Sequence, residues 1–251
     1  VAVTDAMQRL GVLTPSSNTV LEPAMMRLSA PLADRLSLHF ARFRVTVISD
    51  EPDSHRQFAL EPMLEAVRLL DDARVHAFLW AGTAAAWEGL ATDDELVAAI
   101  QAATGTPATT ATQALLAAFR ALGVRRYGLV VPYVEPIVER IVGNLDAAGY
   151  ACAAVHNDSL TTNWEFAAVS AESVAGGVRE VARSRPDGIV IHCTNMRGAE
   201  IAESLERELG IPVLDSVVVG LWGALQLLGI PAPEAGFGAL ARLGRHEAAH
   251  A

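Results

Sequence analysis

Short, nearly continuous apolar runs alternate along this chain with longer stretches in which apolar residues recur every three or four positions. Leu10–Thr14, His76–Ala81, Tyr127–Val131 and Gly188–His192 are runs of the first kind and read as strands buried on both faces. Glu61–Asp71, Asp93–Ala103, Glu135–Ala147, Ala171–Arg183 and Ala199–Glu208 are of the second kind and read as amphipathic helices. The alternation predicts an α/β fold of mostly parallel sheets with right-handed crossovers. The most apolar stretch, Val217 to Ile230, is interrupted by Gln226 and is shorter than the ~20 residues a membrane span needs, so it reads as a buried helix.

The pattern is written twice. Gly11-Val-Leu-Thr-Pro15 is answered by Gly128-Leu-Val-Val-Pro132, and Ala77-Phe-Leu-Trp-Ala-Gly-Thr83 by Gly188-Ile-Val-Ile-His-Cys-Thr194. Gly105-Thr-Pro107, followed by an apolar helix ending at Leu122-Gly-Val124, is answered by Gly210-Ile-Pro212 and a helix ending at Leu228-Gly-Ile230. Three echoes in one order predict two pseudo-symmetric α/β halves, residues 1–111 with 216–251 and residues 112–215. Ligands of open parallel sheets bind at the carboxyl ends of the strands. Facing halves would therefore bring together Pro15–Thr19, Gly82–Thr83, Pro132–Tyr133 and Cys193–Asn195, and the cleft between them is the expected site.

Composition narrows the ligand. The net charge is -10 and lysine is absent, which argues against a nucleic-acid partner. A carboxylate would have to be held by neutral hydroxyls, amides and backbone N–H groups. Two cysteines, Cys152 and Cys193, make neither a disulfide framework nor a zinc quartet, and no spaced His/Glu metal set is present. The opening residues carry no basic-then-apolar signal, so a cytoplasmic location is expected, with no membrane partner. Ala-rich apolar helix faces would allow a homo-oligomer.

Cys193 directly follows a strand, where a thiol can give or take a proton near neutrality, and helix-start N–H groups nearby would favour its thiolate. A small buried hydrophobe is the alternative reading. His192 precedes it but should point to the opposite face of the strand, and Cys152 reads as core. Ser16-Ser17-Asn18-Thr19 is either an ordinary helix cap or a nest for a carboxylate. Thr83, Tyr133, Asn163 and Thr194 are neutral donors, although Tyr133 could be a rim aromatic and Asn163 a turn residue. The charged segment Ser49–His55 reads as a solvated connection or a lid. Gly236-Phe-Gly-Ala-Leu-Ala241 lacks the strand and acid of a dinucleotide fingerprint.

Pro15-Ser-Ser-Asn-Thr19, Pro132-Tyr133, Asn163 and Cys193-Thr194-Asn195 resemble, over nearly the whole chain, the maleate cis–trans isomerase branch of the Asp/Glu racemase superfamily. The resemblance implies two pseudo-symmetric α/β halves and no cofactor or metal. It also implies a thiol from each half, of which the first adds to the double bond and the second handles the proton. Here the first cysteine's position is Gly82. Gly82-Thr83 with a lone second-half cysteine resembles arylmalonate decarboxylase instead, where the thiol protonates an enediolate left by loss of carbon dioxide. That likeness implies that Thr83 and Tyr133 help bind developing oxyanions, with Ala84 standing where the decarboxylase has a serine.

The expected function is therefore cofactor-independent enediolate chemistry on a small carboxylate or dicarboxylate, foremost decarboxylation with Cys193 as proton donor. Ser16, Ser17, Asn18, Asn163, Thr194 and Asn195 are the expected substrate-binding residues. A maleate-type isomerase using Cys193 is the first alternative and amino-acid racemisation, which wants an acid on each face, the next. A non-catalytic carboxylate binder is the alternative from another class.

Overall fold

A computed structural model describes residues 7–243. The segment carrying the first sheet runs through β1 (Gln8–Pro15), α1 (Leu21–Ser29), β2 (Leu36–Phe43), α2 (Pro52–Arg56), α3 (Leu60–Asp71), β3 (Ala77–Trp80), α4 (Ala85–Glu88), α5 (Ala91–Thr104), β4 (Ala108–Thr110) and α6 (Ala111–Leu122). The segment carrying the second runs through β5 (Arg126–Tyr133), α7 (Glu135–Ala147), β6 (Ala151–Leu160), α8 (Asn163–Phe166), α9 (Ala171–Ala182), β7 (Gly188–Ile191), α10 (Ala202–Leu209), β8 (Val213–Asp215) and α11 (Ser216–Leu227), with a last turn α12 (Leu240–Leu243).

Two four-stranded sheets result, in the orders β2-β1-β3-β4 and β6-β5-β7-β8, with every strand pair parallel. The four strands expected from the apolar runs are β1, β3, β5 and β7, the inner pair of each sheet. Burial on both faces is what makes such strands legible as unbroken apolar runs. The outer strands escaped because β4 and β8 have only three residues each, and β2 and β6 carry polar residues on partly open faces. Cys152 lies on the edge strand β6 and is half-buried, so the core reading is corrected: an edge strand covers its residues on one side only.

The repeat has a local cause at its third echo. Gly105 and Gly210 end α5 and α10 with φ of 74° and 67°, a left-handed conformation that glycine adopts without penalty. A proline two residues on then starts the approach to β4 or β8. Each of these short strands ends in the residue that caps the next helix. Thr110 accepts the Gln113 N–H at 3.0 Å, and Asp215 accepts those of Val217 and Val218 at 2.8 and 3.2 Å.

The two helices so launched bind the halves together. α6 and α11 cross closely through Ala111, Ala114, Gly220 and Gly223. α6 sets Phe119 against Tyr127 and Tyr150 of the second half, with ring centroids 5.8 and 4.9 Å apart. α11 leans back on β3 and β4 of the first sheet, and is the buried helix expected over Val217–Ile230. Residues 1–6 and 244–251, the ends of the first half as drawn from the sequence, lie outside the described residues. No helix among the described residues is long and apolar enough to cross a membrane.

Candidate active site

The inner strands β1, β3, β5 and β7 all end at one place, where the strand order of each sheet reverses direction. That is where an open parallel sheet leaves a crevice. Hydrogen bonds join the four strand-end segments directly. Asn18 Nδ2 donates to Thr194 Oγ1 at 3.1 Å, and Asn195 Oδ1 accepts the Thr19 and Val20 N–H groups at 3.0 and 3.3 Å. Thr83 Oγ1 and the Tyr133 hydroxyl are 3.2 Å apart, and the same hydroxyl hydrogen-bonds the Cys193 sulfur.

The loop after β1 caps the helix that follows and also meets the second half. Asn18 Oδ1 accepts the Val20 and Leu21 N–H groups at 3.0 and 2.9 Å and so caps α1, while its amide nitrogen faces the second half. Ser17 accepts a hydrogen bond from Asn163 Nδ2 at 2.8 Å and donates to the Val45 carbonyl at 2.6 Å. Ser16 Oγ accepts the Val45 N–H at 3.1 Å. Asn163, which begins α8, also receives the Asn195 amide on its carbonyl oxygen. The six expected binding residues thus lie together, linked across the halves.

Cys193 is 3% exposed, Tyr133 1% and Thr83 5%, so all three are closed off from solvent. Burial pushes the Cys193 thiol up to about 12. The Tyr133 hydroxyl and the Asn195 N–H, 3.4 Å from the sulfur, pull it down, and the Asp215 charge adds to the rise. The expectation of a helix-start environment favouring thiolate is corrected on this point. The nearest following helix, α10, begins only at Ala202, and the backbone N–H groups of Asn195 and Met196 do not offset complete desolvation. Burial, with the adjacent Cys193, likewise holds the Tyr133 hydroxyl well above its ordinary range. Its ring is wedged between Trp87 and Phe166, with centroids at 5.1 and 5.3 Å.

His192 is fully buried, and its polar neighbour is the Thr83 backbone. Burial brings it down to about 4, so it is neutral and packed, as the alternation of strand residues led one to expect. Asp215, also fully buried, is pushed up to about 7, and its second oxygen is unpaired. Among the described residues no group of three His, Cys, Asp or Glu side chains is placed to hold a metal ion.

Sequence reasoning missed the segment after β2. Ile48 N–H donates to the Thr161 carbonyl at 2.8 Å, Asn163 N–H to the Thr46 carbonyl at 3.0 Å, and Val47 bridges Thr162 antiparallel, so this segment straps one half to the other beside the site. Arg42 braces the first loop, donating to the Ser16 and Asn18 carbonyls at 2.9 Å each. Nothing in a short apolar-polar run announces a contact with a partner more than a hundred positions away. In the charged segment that follows, Asp50 pairs with Arg140 at 2.6 Å and His55 with Glu88 at 2.6 Å, and Pro52–Arg56 forms α2 rather than an irregular connection.

The arylmalonate decarboxylase family model matches residues 48–241. The chain belongs to this family. It is 30% identical to the maleate isomerase of Nocardia farcinica over 94% of its own length and 96% of that enzyme's. It is also 30% identical to the arylmalonate decarboxylase of Bordetella bronchiseptica, over 57% of this chain and 60% of that one. Among solved structures, a cysteine-to-serine mutant of the Nocardia isomerase carrying a covalently bound succinylcysteine intermediate superposes with a TM-score of 0.83 and 28% identity, covering 94% of this chain and 98% of that one. The fold is thus Asp/Glu racemase-like, and the chain is an enzyme of the superfamily to which the arylmalonate decarboxylase family belongs.

Proposed function

We propose that this member of the family forms an enediolate from a small malonate-type dicarboxylate by decarboxylation, with Cys193 giving the proton. The observation that carries the reading is the burial of a single strand-end thiol, 3% exposed, opposite Gly82. Held at about 12, that thiol is protonated at neutral pH and still far more acidic than a carbon acid, which suits a donor. With glycine at position 82, it faces no second cysteine on the first strand end.

In this reading the halves are residues 1–111 with 216–251 and residues 112–215, each supplying two strand ends. Ser16, Ser17, Asn18, Asn163, Thr194 and Asn195 hold the retained carboxylate with neutral donors. The bond to the second carboxylate breaks, carbon dioxide leaves, and its electron pair becomes the enediolate. Thr83 and Tyr133 donate to the developing oxyanion, where fixed donors in a dry site act most strongly. The α-carbon takes the Cys193 proton, and the thiolate left behind accepts the Asn195 N–H until solvent reprotonates it.

A maleate-type isomerase is the second reading, supported by the full-length similarity to the Nocardia enzyme. There Cys193 would have to lose its proton before adding to a double bond, which burial opposes. Purified protein and its Cys193→Ala variant incubated in deuterated water with maleate, methylmalonate and phenylmalonate, followed by proton NMR, separate the two. Carbon dioxide loss with deuterium at the α-carbon, absent in the variant, is the expected result. Fumarate from maleate would instead establish the isomerase.

A further inference from the structure

We propose that Trp80 limits the size of the substituent this site accepts, because its indole fills the side-chain space of residue 82. The inference rests on reading Gly82–Thr83 as a wall of the reaction cleft. A Cβ at Gly82 would lie 2.1 Å from Trp80 Cζ2 and 2.4 and 2.5 Å from Cη2 and Cε2, far inside any tolerated contact. The glycine therefore does more than omit a thiol. Its α-carbon lies directly on the face of the neighbouring indole, and any side chain there would displace the ring.

The ring is braced on that side. Phe43 lies with its centroid 5.1 Å away, and Leu13 and Val45 belong to the same buried cluster. Beyond the indole is a cavity of about 190 Å³, lined by Trp80 together with Phe58, Met63 and Leu96. Ala84 and Ala85 also line it, so the cavity comes within one residue of Thr83. Trp80 is thus a partition: the Gly82 strand end lies on one side, and on the other a recess with an aromatic and aliphatic floor and an acidic margin at Glu88, Asp93 and Glu95. With the indole in place a substrate's substituent meets a flat aromatic wall. With a shorter residue the recess and the cleft join, and an aryl group gains room.

Two measurements test this. Melting temperatures of wild type, Gly82→Ala, Trp80→Leu and the double variant form a cycle that needs no ligand. Gly82→Ala is expected to lower Tm in the parent and clearly less on Trp80→Leu; an equal drop in both backgrounds overturns the proposal. Dissociation constants for methylmalonate and phenylmalonate, taken by calorimetry on Cys193→Ser protein to prevent turnover, form the second. Trp80→Leu is expected to shift the ratio towards phenylmalonate by roughly tenfold or more, and an unchanged ratio overturns the proposal. Trp80→Phe, which keeps an aromatic core, should shift it in the same direction by less and serves if Trp80→Leu does not fold. If neither malonate binds any variant, the decarboxylase reading fails, and the melting cycle by itself decides the role of Trp80.

Discussion

The Thr83 hydroxyl stands 3.2 Å from the hydroxyl of Tyr133, across the boundary between the halves, and Tyr133 in turn reaches the Cys193 sulfur. A chain of three polar groups at the ends of β3, β5 and β7 thereby crosses the buried boundary between the halves. Removing its middle member should leave the outer two without their shared partner. Tyr133→Phe is expected to lower kcat roughly 100- to 1000-fold, the scale of one lost oxyanion donor, with little change in KM. Thr83→Val should have a smaller effect, because the Tyr133 hydroxyl keeps the sulfur. Steady-state kinetics on the substrate identified by NMR would check both, and a Tyr133→Phe enzyme with unaltered kcat would remove the tyrosine from the chemistry.

The thiol should titrate late. Against an ordinary value near 9, a thiol at about 12 has roughly a thousandfold less thiolate at pH 8. In a Cys152→Ser background, where Cys193 is the sole cysteine, the alkylation rate should climb about tenfold per pH unit beyond pH 9 without levelling. Asp215→Asn removes a charge that pushes the thiol up, and should move that rise to lower pH. A plateau below pH 9 in the parent would mean that the sulfur is a ready thiolate, and the isomerase reading would then gain.

The inner strands and the four strand-end segments could be read from the chain because each obeys a local rule. A doubly buried strand is an apolar run, and its end is marked by the first polar residues. Pro15-Ser16-Ser17-Asn18 and Cys193-Thr194-Asn195 announce themselves in this way. What those residues bond to is not local. Asn195 meets Thr19 and Val20 from the other half, and the strap at Val47 meets Thr162, through contacts that only the tertiary fold creates. The level of the Cys193 thiol was also hidden, since burial rather than neighbours in sequence decides it. Gly82 was legible as a missing thiol, but the Trp80 ring lying over it was not, although the two residues are only two positions apart.

Asn195 links three segments with one side chain: its oxygen takes two N–H groups from the β1 loop and its nitrogen reaches Asn163. Asn195→Ala removes the side-chain acceptor of the Thr19 N–H and the donor to the Asn163 carbonyl, while the Val20 N–H keeps Asn18 Oδ1. At about 1–3 kcal/mol for such a loss, and roughly 2–4 °C per kcal/mol in a protein of this size, Tm should fall by about 2–12 °C. Asn195→Asp keeps the acceptor and should recover part of it. Calorimetry gives the answer, and a melting temperature equal to wild type for Asn195→Ala would show that water replaces the amide at no cost.

Asp215 gives the fold a pH dependence whose sign can be worked out. Its carboxyl, ordinarily near 3.8, is pushed up to about 7 by complete burial. Between those two values the folded chain holds a proton that the unfolded chain has released, so stability contributed by this group falls as pH rises from about 4 to 7 and is constant above. Asp93, also raised to about 7 by burial, acts in the same direction. His192 acts in the opposite one: lowered to about 4, it excludes a proton that the unfolded chain accepts up to 6.5, so its contribution grows with pH across that window. The parent's profile is a sum of these opposing slopes, and the difference between parent and variant isolates one of them. Asp215→Asn retains an oxygen to cap α11 and cannot titrate. Relative to wild type it should gain stability from pH 4 to pH 7, by at most about 4 kcal/mol for a fully buried carboxyl. Urea unfolding at half-unit pH steps measures the gain, and a constant difference across the range would mean that Asp215 is ionised throughout and paired in a way its unbonded oxygen does not reveal.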